Sequence, residues 1–299
     1  MNLKLGIIGF SQGNGHPYSW SAIVNGYSPE HMKDCEFPSI KDYLSKQKWP
    51  GAKIHGAEVT HIYTQDKILS QKIASASLIK NIVNDPIEMI GNIDGLLLAR
   101  DDAENHIAFV KPFLENGIPV YIDKPIALTV KNLEYIYSLE KYNGQIFTCS
   151  ALRYAKEMKL SDTDRLKLGS ICHIQATTPK SWEKYAIHII EPTLNIIGKS
   201  LKITNKISEQ FGKDGRKLSL TFENELTVDF FAFGSKISSP ISIRVYGEND
   251  WKDLFFLDSF SSFKSALKNF ILGIKTHTCR SSKKYNKKVV SIIEAGLKQ

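Results

Sequence analysis

The chain opens on an apolar run, Leu3 to Ile8, that breaks into the loop GFSQGNG. Beyond it, Trp20, Ile23, Val24 and Tyr27 fall at i, i+3, i+4 and i+7. A short apolar run bounded by glycine predicts a buried parallel strand, and the spacing after it predicts a helix with one face turned inward. The alternation repeats. A strand is expected over Val59 to Tyr63 and a helix over Lys67 to Ala76, where Ile68, Leu69, Ile73 and Ala76 share a face. A strand over Ile93 to Ala99, a helix from about Ala103 to Glu115 capped by Gly117, and a strand over Ile118 to Ile122 follow. Strands separated by helices of this length imply right-handed crossovers, hence a parallel sheet with helices on both faces.

From about residue 146 the period shifts toward two. Ile146 to Ala151 and Ile171 to Thr177 read as strands. Leu218, Leu220 and Phe222 lie on one side of a strand, as do Leu226, Val228 and Phe230 on the next, with Asn224 in a hairpin turn between them. Ile241 to Tyr246 adds a strand, and helices are expected over Ser259 to Ile274 and Tyr285 to Leu297. The fold class is therefore α/β: a doubly wound, Rossmann-type parallel sheet over 1–125, then an α+β domain with an open, mostly antiparallel sheet over 126–299. The last helix is free to pack back on the first domain. Two domains also suit 299 residues.

Composition then removes several functions. No stretch approaches the roughly 20 uninterrupted apolar residues of a membrane helix, and the first residues lack a basic segment with a cleavage site. A cytoplasmic protein with no membrane partner is expected. Cys35, Cys149, Cys172 and Cys279 lie far apart with no C-x-x-C pair, so neither a disulfide framework nor a metal site is expected. The net charge of +8 is concentrated in the run from Lys275 to Lys288. Without interleaved aromatics or a nucleic-acid module this reads as a solvated face, with no nucleic-acid partner. A basic protein equally suits a small anionic substrate or a phosphorylated cofactor.

In a sheet of this kind ligands bind at the carboxyl ends of the strands. Gly9, Ser11, Gly13, Gly15 and His16 lie there after the first strand, Thr64 and Asp66 after the second, Arg100 after the third, and Asp123 and Lys124 after the fourth. All are cofactor-binding candidates. The loop departs from G-x-G-x-x-G, because Ser11 stands at the second glycine and the loop is longer, yet its amides still face a helix start and can hold an anion. Thr64 neither grips a ribose 2′-hydroxyl nor repels a 2′-phosphate, so NAD and NADP both stay open. Pro125 disfavours the helical region at Lys124, which a lysine donating to a substrate oxygen and a solvated turn lysine would share. In KYAIHIIEP, His188 and Glu191 fall at i and i+3, an imidazole with a carboxylate on one helical face. A hydrogen-bonded core histidine would have the same spacing, and Pro192 bears on how Glu191 points.

These features together resemble the glucose–fructose oxidoreductase, inositol dehydrogenase and rhizopine-catabolism (Gfo/Idh/MocA) family. The resemblance is carried by IIGF, by DGLLLARDDAENHIAFVKPFLENGIPVYIDKPIAL and by the H-x-x-E of KYAIHIIEP, and it extends to SIIEAGLKQ. It implies an NAD(P)-binding first domain and a second domain forming the other wall of a substrate cleft. The implied reaction is hydride transfer at a hydroxyl or carbonyl carbon of a sugar, cyclitol or nucleotide-sugar. By the same resemblance Lys124 orients substrate and nicotinamide, His188 is the general acid/base, and Glu191 replaces a positioning aspartate. The first residue of the family's E-K-P motif is Asp123 here. The altered loop and carboxylates leave a non-catalytic sensor or assembly subunit as the alternative. The family also implies a homodimer or homotetramer through an open sheet face, where Phe231 and Phe233 lie opposite the Leu226, Val228 and Phe230 set.

Overall fold

In the computed structural model, which describes residues 2–198 and 200–298, the chain divides into two units. The first comprises residues 1–127, 132–148 and 263–283; the second comprises 128–131, 149–262 and 284–299. The first crossing lies two residues beyond the expected division at 125/126, and the chain then returns twice to the first unit.

The first unit holds six parallel strands: β1 (Leu3–Ile8), β2 (Ala57–Tyr63), β3 (Asn81–Ile82), β4 (Gly95–Leu98), β5 (Val120–Ile122) and β6 (Ile146–Phe147). They stand in the order β3-β2-β1-β4-β5-β6. β4 and β5 are buried along their whole length, as strands covered on both faces must be. Their helices are α1 (His16–Asn25), α2 (Pro29–Met32), α3 (Pro38–Ser45), α4 (Lys67–Ala76), α5 (His106–Glu115) and α6 (Val130–Ser138), the last beginning in the second unit. Pro17 sits in the first turn of α1, where its missing N–H costs nothing, and Gly26 ends the helix at φ +89°. Tyr27 therefore lies past the helix and meets Trp49 edge-on instead. In α4, Ile73 and Ala76 are buried but Ile68 is 63% exposed.

The second unit is built on β7 (Ile171–Thr178), β8 (Ile203–Phe211), β9 (Gly215–Phe222), β10 (Thr227–Ala232), β11 (Ser242–Gly247) and β12 (Trp251–Phe255), ordered β12-β11-β7-β10-β9-β8. β7 and β10 run parallel; the other pairs are antiparallel. Helices α7 (Asp162–Leu168), α8 (Trp182–Tyr185), α9 (Ile187–Ile197), α10 (Ser259–Thr276) and α11 (Lys283–Leu297) complete the chain. Leu218, Leu220, Phe222, Val228 and Phe230 enter one core with Ile189 and Ile190 of α9 and Ile292 and Ile293 of α11. The Trp182 indole donates to the Ile293 carbonyl at 2.9 Å.

Three expectations change. β6 is only two residues long and pairs with β5, so it closes the first sheet instead of opening the second. The last helix, α11, belongs to the core of the second unit. The helix that returns to the first unit is α10, where Phe270 meets Tyr121 and Phe147 at ring centroid distances of 5.7 and 5.9 Å. Large apolar side chains on α10 gain more from that aromatic cluster than from solvent.

Candidate active site

In the first unit two side chains, Gln65 and Arg100, hold the glycine loop at Phe10. Gln65 brackets Phe10, accepting from its N–H at 2.8 Å and donating to its carbonyl at 2.7 Å. Arg100 donates Nη1 to the same carbonyl and is clamped by Asp102 through Nε and Nη2. Asp102 is pulled below the usual carboxylate range: burial would raise it, but the hydrogen bonds from Arg100 and Asn105 outweigh that. Arg100, a cofactor-binding candidate from the sequence, thus has all three guanidinium nitrogens engaged within the protein, Nη1 on the loop and Nε and Nη2 on Asp102. Buried His106 ties the turn together, with Nε2 2.8 Å from the Arg100 carbonyl oxygen and Nδ1 3.1 Å from that of Ile126.

Ser11 and Lys124 converge on Asp101. The Ser11 hydroxyl donates to Asp101 Oδ1 at 2.7 Å and accepts from the Asp101 N–H at 3.0 Å, while Lys124 Nζ lies 3.5 Å from Oδ2. Ser11, replacing a glycine, links the loop to the end of β4. Asp123 gathers the rest. Its Oδ2 accepts from Asn14 Nδ2 at 2.8 Å and lies 2.5 Å from His16 Nδ1; its Oδ1 accepts from the Lys124 N–H at 2.7 Å. The His16 ring stacks on Trp20 at 4.9 Å. The Lys124–Pro125 peptide is cis.

Two glycines of the loop behave oppositely. Gly15 is sterically obligatory, because a Cβ there would come within 2.5 Å of Ile40 and 2.7 Å of the Phe37 ring. Gly13, at φ +79°, has nothing within 4 Å of where a Cβ would stand. Its backbone is thus open to a phosphate group, which is the fit a dinucleotide requires of this loop. Phe37 and Ile40 come from the chain between α1 and β2, at the start of α3.

Thr64 and Asp66 take different places. The Thr64 hydroxyl donates to the Asp66 carbonyl at 2.6 Å and lies 2.8 Å from Ser70 Oγ, and Asp66 caps α4 by accepting from the Ile68 N–H. Thr64 is buried and turned into the start of α4, while Asp66 stays exposed.

His188 and Glu191 belong to the second unit, on α9. His188 Nδ1 is 2.8 Å from Ser150 Oγ, and its ring meets Tyr185 edge-on. Glu191 is buried and accepts from the Ser150 N–H at 2.9 Å, Arg153 Nε at 3.0 Å and Arg153 Nη2 at 2.5 Å. Burial alone would lower the Arg153 guanidinium, but the Glu191 carboxylate more than offsets this and holds it well above its ordinary value. Burial, then the surrounding negative groups, pushes the Tyr154 and Tyr285 phenols up, so at neutral pH they keep their protons. Asn14, Asp101, Ser150 and Arg153 complete the two clusters and are absent from the sequence-derived candidates. An arginine just past the apolar run Ile146 to Ala151 was the one local signal for Arg153.

A parallel sheet in the order 3-2-1-4-5-6 with a glycine loop after its first strand defines a doubly wound α/β class of protein, in which ligands bind at the carboxyl ends of the strands. Residues 42–150 match the Gfo/Idh/MocA oxidoreductases, a family with an NAD-binding Rossmann fold, and the resemblance drawn from the sequence stands. The matched segment begins past the glycine loop, in keeping with the variant form of that loop.

Solved structures share the fold over the whole length. A probable dehydrogenase from Thermotoga maritima superposes with a TM-score of 0.71 at 13% identity, covering 99% of this chain and 96% of that one. The apo scyllo-inositol dehydrogenase from Lactobacillus casei gives 0.69 at 12%, covering 99% and 95%. UDP-N-acetylglucosamine 3-dehydrogenase from Acidithiobacillus ferrooxidans gives 0.72 at 10%, covering 100% of both. No curated protein sequence matches the chain. Among the described residues, no helix is long and apolar enough to cross a membrane, and no group of His, Cys, Asp and Glu could hold a metal ion.

Proposed function

We propose that the protein is an NAD(P)-dependent oxidoreductase that moves a hydride to or from a hydroxyl or carbonyl carbon of a sugar, cyclitol or nucleotide-sugar. The observation that carries this reading is the gathering of Ser11, Asn14, Asp101, Asp123 and Lys124 at the carboxyl ends of β1, β4 and β5. The nicotinamide cofactor supplies the hydride acceptor or donor. Lys124 donates to the substrate oxygen and fixes the carbon for transfer, with Asp101 holding its ammonium in place. His188 takes or returns the hydroxyl proton. Glu191, committed to Arg153 and Ser150, acts by positioning the α9 turn that carries His188. The aromatic cluster of Phe211, Phe231 and Phe233 on the half-exposed sheet face suits a homo-oligomer contact.

Titration with NADH and NADPH, followed by nicotinamide fluorescence, tests the reading. Binding of one of them, with turnover on a polyol panel that Lys124→Ala and His188→Ala abolish, is the expected result. One observation favours a second reading, a non-catalytic nucleotide- or sugar-binding member of the same fold. Asn14 and His16 both engage Asp123, which could hold the loop closed to a dinucleotide. Absence of binding of either cofactor at millimolar concentration overturns the oxidoreductase reading.

A further inference from the structure

At the opposite end of the first sheet, where β1, β4 and β5 begin, lies a cavity of about 410 Å³ walled wholly by residues of the first unit. Its charged lining is one-sided. Lys275, His277 and Arg280 line it against a single carboxylate, Asp94, which accepts from the Lys4 N–H at 2.7 Å. No carboxylate of a described residue pairs with Lys275 or Arg280; Arg280 spends only Nε, on the Thr278 hydroxyl at 3.1 Å. Its two terminal nitrogens remain as a planar fork. Lys275 stands in the last turn of α10 and complements the helix dipole, but Arg280 lies beyond the helix, where no dipole accounts for it.

The rest of the lining is largely apolar: Leu3, Pro119 and Ile274 are half-buried, Phe147 and Phe270 are almost wholly buried, and Tyr142 is 45% exposed. The volume falls within the range of small-molecule sites, which combine apolar walls with a few convergent polar groups. We propose that this cavity is a second ligand site, separate from the carboxyl-end site, and that it takes an organic phosphate with a flat ring. Lys275 and Arg280 together carry two positive charges at neutral pH, matching a phosphate monoester dianion, and the guanidinium fork suits two phosphate oxygens. The ring would sit against the apolar lining that Leu3, Pro119, Tyr142 and Ile274 provide. The basic run that has no role in hydride transfer thereby acquires one.

Calorimetric titration of the full chain with phenyl phosphate tests this. The expected result is saturable binding that Arg280→Gln and Lys275→Gln each weaken by about tenfold or more, with thermal unfolding unchanged. Inorganic phosphate and phenol should each bind more weakly than phenyl phosphate, because each offers only half of the match. No binding of phenyl phosphate at millimolar concentration overturns the proposal. So does binding that neither variant weakens, or inorganic phosphate binding as tightly. Lys124→Ala, at the other end of the sheet, should leave phenyl phosphate binding intact; its loss there would assign the binding to the carboxyl-end site.

Discussion

Arg153 and Glu191 meet in the interior of the second unit through two parallel hydrogen bonds, Nε to Oε2 at 3.0 Å and Nη2 to Oε1 at 2.5 Å. Neither side chain is more than 9% exposed. Removing one partner leaves an uncompensated buried charge, which costs about 3–5 kcal/mol, whereas replacing both by apolar residues is often near neutral. Arg153→Met should therefore lower the urea midpoint by far more than the Arg153→Met/Glu191→Leu pair. Equal losses would show that the pair is not the source of the effect.

Gly13→Ala and Gly15→Ala should differ in kind. At Gly13 only the positive φ is penalised, about 1 kcal/mol, since space is open. At Gly15 the added methyl drives Phe37 and Ile40 away, an overpacking cost of about 1–3 kcal/mol, and shifts the loop. Thermal unfolding ranks the two, and NADH affinity should suffer more at Gly15.

Asp123→Ala strands Asn14 and His16 together. Loss of their shared acceptor should cost about 1–3 kcal/mol in stability and loosen the glycine loop. Proteolysis near residue 14, expected to be faster in the variant than in the parent protein, is the readout. An unchanged digestion pattern would show that the loop is held by Gln65, Ser11 and Arg100 without it.

The Asp102 carboxyl is held below its ordinary value, so the sign of its pH effect is fixed. A depressed carboxylate contributes stability above the unfolded-state value, near 4, and loses it as pH falls through the lower native value. Urea unfolding of the parent should weaken below about pH 4, and Asp102→Asn should be less stable at neutral pH with a flatter acid limb. Parallel curves for the two proteins would exclude Asp102 as a contributor.

Local rules were enough for much of this molecule. The strand–loop–helix opening, the helix over Lys67–Ala76 and the pairing of Leu218, Leu220 and Phe222 with Val228 and Phe230 follow from periodicity and turn chemistry, which act over a few residues. The DKP turn and the His188/Glu191 spacing were equally visible as candidates. What required the tertiary structure was the choice of partners. A two-residue strand such as Ile146–Phe147 has no period to read, and only its pairing with β5 assigns it to the first sheet. The destinations of α10 and α11 depend on which core offers a matching aromatic or aliphatic face. The glycine loop shows the division most plainly: its sequence announced a turn at a strand end. That Ser11 reaches Asp101, and that Asn14 and His16 reach Asp123, was set by contacts across 90 to 109 positions of chain, which spacing alone cannot carry.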